Sequence, residues 1–175
     1  ISSEISKRGI IDVLRNQIAD RGVYLDLCYF QPKSDLNPDL QKLYSCNKFT
    51  LVRQLHYSTE YENSIDIVLF LNGLPILTME LKNKATGQNY KHAEYQYKND
   101  RDPNEPFLRF KRCMVHFCVD KHNVSMTTRL SGRKTFFLPY NRDIENPPVK
   151  SGYSTKYLWE EILHPESILD IIENF

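Results

Sequence analysis

The sequence predicts one α/β domain in which helices flank a central mixed β-sheet. Three observations favour this class. Predicted elements follow the order helix, strands, helix, strands, helices; a strongly apolar hairpin lies near the middle; and 175 residues are enough for one domain with a sizeable core. A content of 41% hydrophobic and 12% aromatic residues excludes a disordered tail. We therefore treat residues 1–175 as a single domain.

The individual elements follow from hydrophobic spacing and turn residues. Ile11, Leu14 and Ile18 recur at helical spacing, which predicts a helix over 9–20 that ends at Arg21-Gly22. The other predicted elements are a strand at 23–30, a loop at 31–37, a short helix at 39–44, a strand at 49–57, hairpin strands at 65–71 and 75–81, a turn at 86–87, a helix at 89–99, a loop at 102–106, strands at 113–119, 124–129 and 135–139, a polar loop at 140–152, and helical segments at 157–163 and 166–174.

The central hairpin carries charges inside apolar strands. Residues 65–71 and 75–81 are rich in Ile, Leu, Val and Phe, and Asn72-Gly73 between them tolerates the positive φ angles of a tight loop. Asp66 lies in the first run, and Glu80 and Lys82 lie at the end of the second. Charged residues in runs that should be buried require a physical reason.

The relation between the two acids depends on the register of the hairpin, because side chains alternate faces along a strand. A two-residue loop alone places Asp66 and Glu80 on opposite faces of the sheet. A three-residue loop, in which Leu71 pairs with Pro75, places Asp66 directly across from Glu80 with Lys82 on the same face. A bulge between the acids and the loop has the same effect.

Facing carboxylates suggest a metal ion. Asp66 and Glu80 would lie within roughly 5 Å of each other and repel unless a cation lies between them. Mg²⁺ prefers hard oxygen ligands and is commonly held by one or two carboxylates with phosphate oxygens and water. Lys82 beside them would orient an attacking water and offset charge on a phosphate. The alternative interpretation is ordinary solvated charge at strand ends, since this spacing also occurs by chance.

Longer passages of the chain resemble a known family. Asp66 on one strand and Glu80-x-Lys82 on the next, followed by a helix, resemble the PD-(D/E)xK nuclease fold. More narrowly, the chain resembles the N-terminal nuclease domain of the HsdR-type restriction subunit of type I restriction-modification enzymes. The passages that carry this resemblance span most of positions 48–163 and are SIDIVLFLNGLPILTMELKN, YQYKNDRDPNEPFLRFKRCMVHFCVD, MTTRLSGRKTFFLPYN and GYSTKYLWEEIL.

The resemblance implies a Mg²⁺-dependent endonuclease that cleaves double-stranded DNA, a type I site-specific deoxyribonuclease, with Mn²⁺ able to substitute. Its partners would be the methyltransferase and specificity subunits of a complex that also translocates DNA using ATP. No Gly-x-x-x-x-Gly-Lys-Ser/Thr occurs, so ATP binding is expected only of motor domains outside this chain. Because the chain begins at Ile1 without Met and ends inside an apolar helical pattern, we expect a fragment of a longer restriction subunit.

The resemblance also assigns roles to residues. The implied metal ligands are Asp66, Glu80 and the backbone carbonyl of Leu81, and the implied catalytic lysine is Lys82. A supporting Gln-x-x-x-Tyr motif is expected on the following helix. Gln96 fits its first position, whereas Asp100 stands where the tyrosine is expected. A further acid on the first helix, Glu4 or Asp12, has no motif to support it.

Two basic clusters are candidates for contacts with the DNA backbone, although solvated surface charge is an equally good interpretation. They are Arg109, Lys111 and Arg112 beside Phe107 and Phe110, and Arg129, Arg133 and Lys134 around a Ser-Gly turn. The formal net charge of +1 gives no global basic field, so strong DNA binding by this chain alone is not expected. A non-catalytic DNA-docking or subunit-interaction module with the nuclease fold remains the rival hypothesis.

The other reactive residues predict structural roles. The four cysteines form no Cys-x-x-Cys pair and the histidines have no zinc-ligand spacing, which favours reduced, buried thiols in a cytoplasmic protein. His116 is expected to be a core histidine, His122 a turn residue, and Trp159 a core aromatic. No apolar run approaches 20 residues and no signal peptide is present, so neither a membrane span nor export is indicated.

Overall fold

The computed structural model describes residues 1–34, 36–58 and 60–175, with Lys84 described through its backbone. Its helices are α1 (Ser2–Arg8), α2 (Ile10–Arg15), α3 (Pro38–Ser45), α4 (Tyr90–Asn99) and α5 (Pro165–Asn174), with a 3₁₀ turn at Lys84–Thr86 and a π-helical turn at Leu158–Ile162. Its strands are β1 (Ile18–Asp20), β2 (Val23–Leu25), β3 (Phe49–His56), β4 (Ser64–Leu71), β5 (Leu74–Leu81), β6 (Val115–Val119), β7 (Val124–Thr127) and β8 (Leu138–Pro139).

The main sheet has six strands in the order β3-β4-β5-β6-β7-β8. Strands β5 and β6 run parallel, with α4 in the connection between them, and every other neighbouring pair in this sheet is antiparallel. The sheet is therefore mixed, as the sequence predicts, and β3, β4 and β5 form an antiparallel meander.

Helices and loops cover both faces of the sheet. On one face, Ala93 and Tyr97 of α4 pack with Val68 of β4. On the other, the side chains of β5 and β6 meet the segment around Leu158. A third cluster joins α1, α2 and α5 to the loop end of the central hairpin. Alternation along β5 therefore places Thr78 and Glu80 on the α4 face.

The predicted helix at 9–20 is wrong in its extent. Gly9, at φ 94°, separates α1 from α2, and the backbone is extended at Asn16. Residues Ile18–Asp20 instead pair with Val23–Leu25 in a small two-stranded hairpin. The strand predicted at 23–30 is consequently only three residues long and lies outside the main sheet.

Other elements agree more closely with the sequence. The predicted helix at 39–44 is α3, whose first turn is capped by the Asn37 side chain, which accepts hydrogen bonds from two backbone amides. Strands β6, β7 and β8 are shorter than predicted because loops occupy 113–114, 128–129 and 135–137. The loop expected at 31–37 includes position 35, which lies outside the described residues.

The predictions for individual core residues are partly confirmed. His116 is buried in β6, and Cys28, Cys113 and Cys118 are buried free thiols. Cys46 is exposed, so its predicted burial is wrong. The prediction for Trp159 is also wrong, since this side chain is 45% exposed and meets Tyr153 edge-on instead of entering the core. Within the described part of the chain, no helix is both long and apolar enough to cross a membrane.

Candidate active site

The loop of the central hairpin has two residues, so the three-residue loop is wrong. Asn72 and Gly73 have φ angles of 51° and 81°, which a tight two-residue turn requires. However, Phe70 pairs with Pro75 while the residue before it pairs with Leu77. Ile76 is therefore an extra residue in β5, which is a β-bulge.

This bulge restores the register that brings the acids together. Ile67 pairs with Met79, and one step further along the same register Asp66 lies opposite Glu80. The alternative in which a bulge aligns the two acids is thus confirmed. Without the bulge, the two-residue loop would place these carboxylates on opposite faces of the sheet.

Glu80 is fully buried and only one of its carboxylate oxygens has a partner. The Arg101 guanidinium donates from Nε and Nη2 to Glu80 Oε1, at 3.1 and 2.8 Å. Oε2 is buried and has no hydrogen-bond partner among the described residues. The pKa of Glu80 is raised from 4.5 to about 7, mainly by burial and further by the neighbouring Asp66, whereas Arg101 opposes the rise.

Asp66 is partly buried, and both of its oxygens accept hydrogen bonds. Gln54 donates from Nε2 to Oδ1 at 2.7 Å, and the Leu81 backbone N–H donates to Oδ2 at 2.8 Å. The second bond crosses from β4 to the end of β5. It fixes the Asp66 carboxylate beside the residue whose carbonyl is a predicted metal ligand.

Lys82 and Gln96 meet across the space between β5 and α4. Lys82 Nζ donates to Gln96 Oε1 at 2.6 Å, and both side chains are partly buried. Arg101 follows directly after the same helix and reaches Glu80. Because Lys82 is two residues after Glu80, it lies on the same face of the sheet as the two acids, the face that α4 and Gln96 cover.

Helix α4 is held on the sheet by a buried polar network. Thr78 Oγ1 is 2.7 Å from both the Tyr97 hydroxyl and His116 Nδ1. All three side chains are at most 2% exposed. Burial lowers the pKa of His116 to about 4, so its ring is neutral near pH 7. This network fixes Gln96, the residue before Tyr97, relative to the strand that carries Glu80.

Asp100 does not take the place of the expected tyrosine in the packing. It is the exposed C-terminal cap of α4, and its backbone N–H donates to the Gln96 carbonyl. Tyr95 points outward and is 62% exposed. Of the tyrosines near Gln96, the buried Tyr97 is the one that contacts the sheet.

The acids proposed on the first helix bond locally. Glu4 pairs with Lys7 and Arg8, and Asp12 pairs with Arg8. Among the residues that the structure describes, no three His, Cys, Asp or Glu side chains come together as a possible metal cluster. A metal ion at Asp66 and Glu80 would therefore need its remaining ligands from backbone carbonyls, water or substrate.

Two clefts share Tyr57, and the first of them is also lined by Arg101, the partner of Glu80. The first has a volume of about 450 Å³, and Lys98, Arg101 and Arg133 contribute its cationic groups. The second, of about 540 Å³, is lined by Phe107, Phe110, Arg109 and Arg112 among others. Tyr57 stacks on Phe107 with 5.9 Å between ring centroids.

The predicted basic clusters lie along these clefts in part. The Arg129 guanidinium sits over the Phe110 ring at 5.0 Å, which links the two clusters. The Lys111 ammonium lies 3.4 Å from the Lys7 carbonyl, next to the first helix. Lys134 is exposed in the turn that also carries Arg133.

Sequence reasoning missed Arg101 and Gln54. Arg101 stands among Asp, Asn and Pro residues that indicate a loop, and nothing local signals that it folds back onto a buried acid. Gln54 lies in a strand of ordinary composition, and no residue type near it indicates its positive φ angle of 49°. Both residues are identified only by their contacts with the two carboxylates.

The fold and the site together define an α/β domain with paired carboxylates and a lysine at the ends of adjacent strands. Residues 24–135 match the family described as type I restriction enzyme R protein N terminus. The match covers more than half of the chain, so this chain belongs to that family. The family implies a nuclease-like fold, with which the six-stranded mixed sheet and its helices agree.

The chain also has a local similarity to a curated protein that is not described as a restriction enzyme. The chain is 31% identical over 78 residues to acireductone dioxygenase 2 of Physcomitrium patens, which covers 38% of this chain and 40% of that protein. The chain thus spans less than half the length of this relative. Such a partial match does not assign the chain to that protein's class.

Proposed function

We propose that this chain is a Mg²⁺-dependent endonuclease domain of the PD-(D/E)xK type that cleaves phosphodiester bonds in double-stranded DNA. The observation that carries the proposal is the position of Asp66 opposite Glu80, whose Oε2 is buried without a partner. Lys82, held by Gln96, supplies a cation on the same face. Membership of the restriction enzyme family supports the proposal.

The donor atoms present fit a hard divalent cation. Glu80 Oε2 is a buried acceptor without a donor, and a bound cation would satisfy it. Asp66 and Glu80, together with the Leu81 carbonyl, offer oxygen ligands of the kind that Mg²⁺ or Mn²⁺ takes. Such an ion would lower the pKa of a bound water and neutralise charge on the scissile phosphate.

Lys82 has the role of positioning and charge compensation. Its ammonium group is anchored at 2.6 Å by the Gln96 amide oxygen, which leaves further N–H groups for other acceptors. These groups would donate to a phosphate oxygen and to the attacking water, and would thereby orient the water and offset negative charge as it develops. Gln96 acts by holding this lysine.

The DNA backbone would follow the two clefts. Arg133 lines the cleft next to Arg101, and Arg109 and Arg112 line the other. Arginines in such positions contact phosphates without reading sequence. The Arg129–Phe110 contact joins the two predicted basic clusters into one basic surface.

The larger enzyme is inferred from the family alone. We propose that the chain works within a type I restriction-modification complex in the cytoplasm with methyltransferase and specificity subunits. ATP would serve DNA translocation by motor domains of the restriction subunit. The specificity subunit would select the DNA site, since the candidate DNA contacts here are backbone contacts.

One observation favours the rival hypothesis of a non-catalytic docking or interaction module. Arg101 already contacts Glu80 in a buried pair, and a buried pair of this kind can be purely structural. The two functions differ in metal binding. A docking module needs no divalent cation at Asp66 and Glu80.

Titration calorimetry with Mn²⁺, in the presence of a short DNA duplex, tests the proposal. The chain should bind Mn²⁺, and Asp66→Asn should remove that binding because a carboxylate ligand is lost. Asp20→Asn is the matched control, since Asp20 is an exposed acid of the separate small hairpin. The docking hypothesis is favoured if the parent chain binds no Mn²⁺ even with DNA present.

A further inference from the structure

Gln54 has a backbone conformation that its strand does not explain. Its φ angle is 49°, in the middle of the eight-residue strand β3. Residues Arg53 and Leu55 on either side pair normally with β4, whereas Gln54 interrupts the ladder. Positive φ is uncommon outside glycine, and such strained residues persist where the surroundings enforce them, often at functional sites.

The Gln54 side chain makes two hydrogen bonds to residues of β4. Its Nε2 donates to Asp66 Oδ1 at 2.7 Å, and its Oε1 accepts from the Ser64 hydroxyl at 2.9 Å. Gln54 is exposed, so burial of apolar surface does not account for this orientation. The amide is fixed at both ends and presents its N–H to the carboxylate.

These contacts continue to the second carboxylate. The Ser64 backbone carbonyl accepts from Arg101 Nη2 at 2.7 Å, and the same nitrogen donates to Glu80 Oε1. A connected set of hydrogen bonds therefore runs from Asp66 through Gln54, Ser64 and Arg101 to Glu80. One oxygen of each acid is held by this set, and Glu80 Oε2 is left without a partner.

We infer that Gln54 is a positioning residue for the metal site, an inference that rests on the proposed nuclease function. Its amide fixes the rotation of the Asp66 carboxylate, so that the carboxylate is already oriented when a divalent cation arrives. Partners of this kind orient metal ligands, and their loss typically weakens metal binding 10- to 100-fold. The flanking pairs Arg53–Ile67 and Leu55–Ile65 put Gln54 directly across from Asp66, so the amide is within reach of that carboxylate.

Two variants remove the amide, one with and one without relief of the backbone strain at position 54. Gln54→Gly accepts the positive φ and removes the amide, and Gln54→Met keeps the length of the side chain without its hydrogen bonds. Arg21→Gly is the matched control, because Arg21 has a φ of 48° in the turn of the separate hairpin. Each is titrated with Mn²⁺ by calorimetry, and metal-free melting temperatures are measured in parallel.

We expect both Gln54 variants to bind Mn²⁺ about tenfold more weakly or worse, while Arg21→Gly binds like the parent. All three should melt within about 5 °C of the parent, since these contacts lie at the surface. Parent-like Mn²⁺ affinity in Gln54→Met overturns the inference. If Asp66→Asn in the same series also binds like the parent, the proposed metal site itself is wrong.

Discussion

Glu80 is the residue whose chemistry depends most on its surroundings. Its side chain is fully buried and faces Asp66, and one of its carboxylate oxygens accepts hydrogen bonds from Arg101. Burial is the largest influence on its pKa, which rises from 4.5 to about 7. In the metal-free protein, Glu80 therefore titrates near neutral pH, and the proposed divalent cation would compete with that proton.

The metal-free protein should show this proton as a pH-dependent contribution to stability. Between pH 4.5 and about 7 the unfolded chain loses the Glu80 proton while the folded chain keeps it, so the free energy of unfolding falls as the pH rises. His116 acts in the opposite direction between pH 4 and 6.5, because the unfolded chain binds the proton there. The difference between the parent and Glu80→Gln isolates the first effect.

Urea denaturation in EDTA measures this difference. The free energy of unfolding of the parent minus that of Glu80→Gln should decrease by up to about 3 kcal/mol from pH 4.5 to 7, and level off above pH 7. A difference that is constant across this range would mean that the pKa of Glu80 is not raised by burial.

Lys82 gives a second prediction at the same scale. Lys82→Ala should reduce DNA cleavage by the assembled enzyme at least roughly 100-fold, because the cation that orients the water is lost. The variant should still bind Mn²⁺ and DNA, since Asp66 and Glu80 are unchanged. Lys121→Ala, an exposed lysine in the β6–β7 turn, is the control. Equal cleavage by Lys82→Ala and the parent would contradict the assignment.

At the scale of elements, the bulge in β5 decides whether a site exists at all. The hairpin could be predicted from its apolar strands and Asn72-Gly73. The sequence also showed that the two acids share a face only if the loop has an odd number of residues or a bulge lies between the acids and the loop. The position of the bulge could not be predicted, because isoleucine, the residue at position 76, is not a residue type that marks a bulge. Helix α1 was missed, and α2 was predicted too long because Ile18 continues the helical spacing of Ile11 and Leu14 although it belongs to β1.

The docking of α4 on the sheet gives a prediction about stability. Thr78→Val keeps the side-chain shape but leaves the Tyr97 hydroxyl and His116 Nδ1 without a shared partner in the core. We expect a loss of about 3 kcal/mol in the free energy of unfolding, measured in urea. Thr50→Val, at an exposed position of β3, should change it by less than about 0.5 kcal/mol. Similar values for both variants would show that the network does not hold α4.

At the scale of the whole molecule, charge is local. The net charge is +1, yet arginines line both of the clefts that share Tyr57. The sequence identified these basic clusters as separate stretches, and the Arg129–Phe110 contact that connects them depends on folding. The contact of Arg101 could not be predicted either, because its partner Glu80 lies in a different element, 21 residues away.

DNA binding by the chain should therefore be weak and depend on salt. Arg133→Ala and Arg112→Ala should each weaken binding to duplexes of different sequence about equally, and each should reduce the slope of log K against log salt by about 1. Lys150→Ala, an exposed lysine of the 140–152 loop, should leave the slope unchanged. Fluorescence anisotropy over a range of salt concentrations measures both quantities. An unchanged slope in both arginine variants would place the DNA elsewhere.

The central claim, that Asp66 and Glu80 form a divalent metal site, is tested most directly by anomalous diffraction from crystals soaked in Mn²⁺. We expect an anomalous peak within bonding distance of the Asp66 carboxylate and Glu80 Oε2, with Lys82 still held by Gln96. Saturating Mn²⁺ with no peak at this position, and Glu80 still bound only to Arg101, would contradict it.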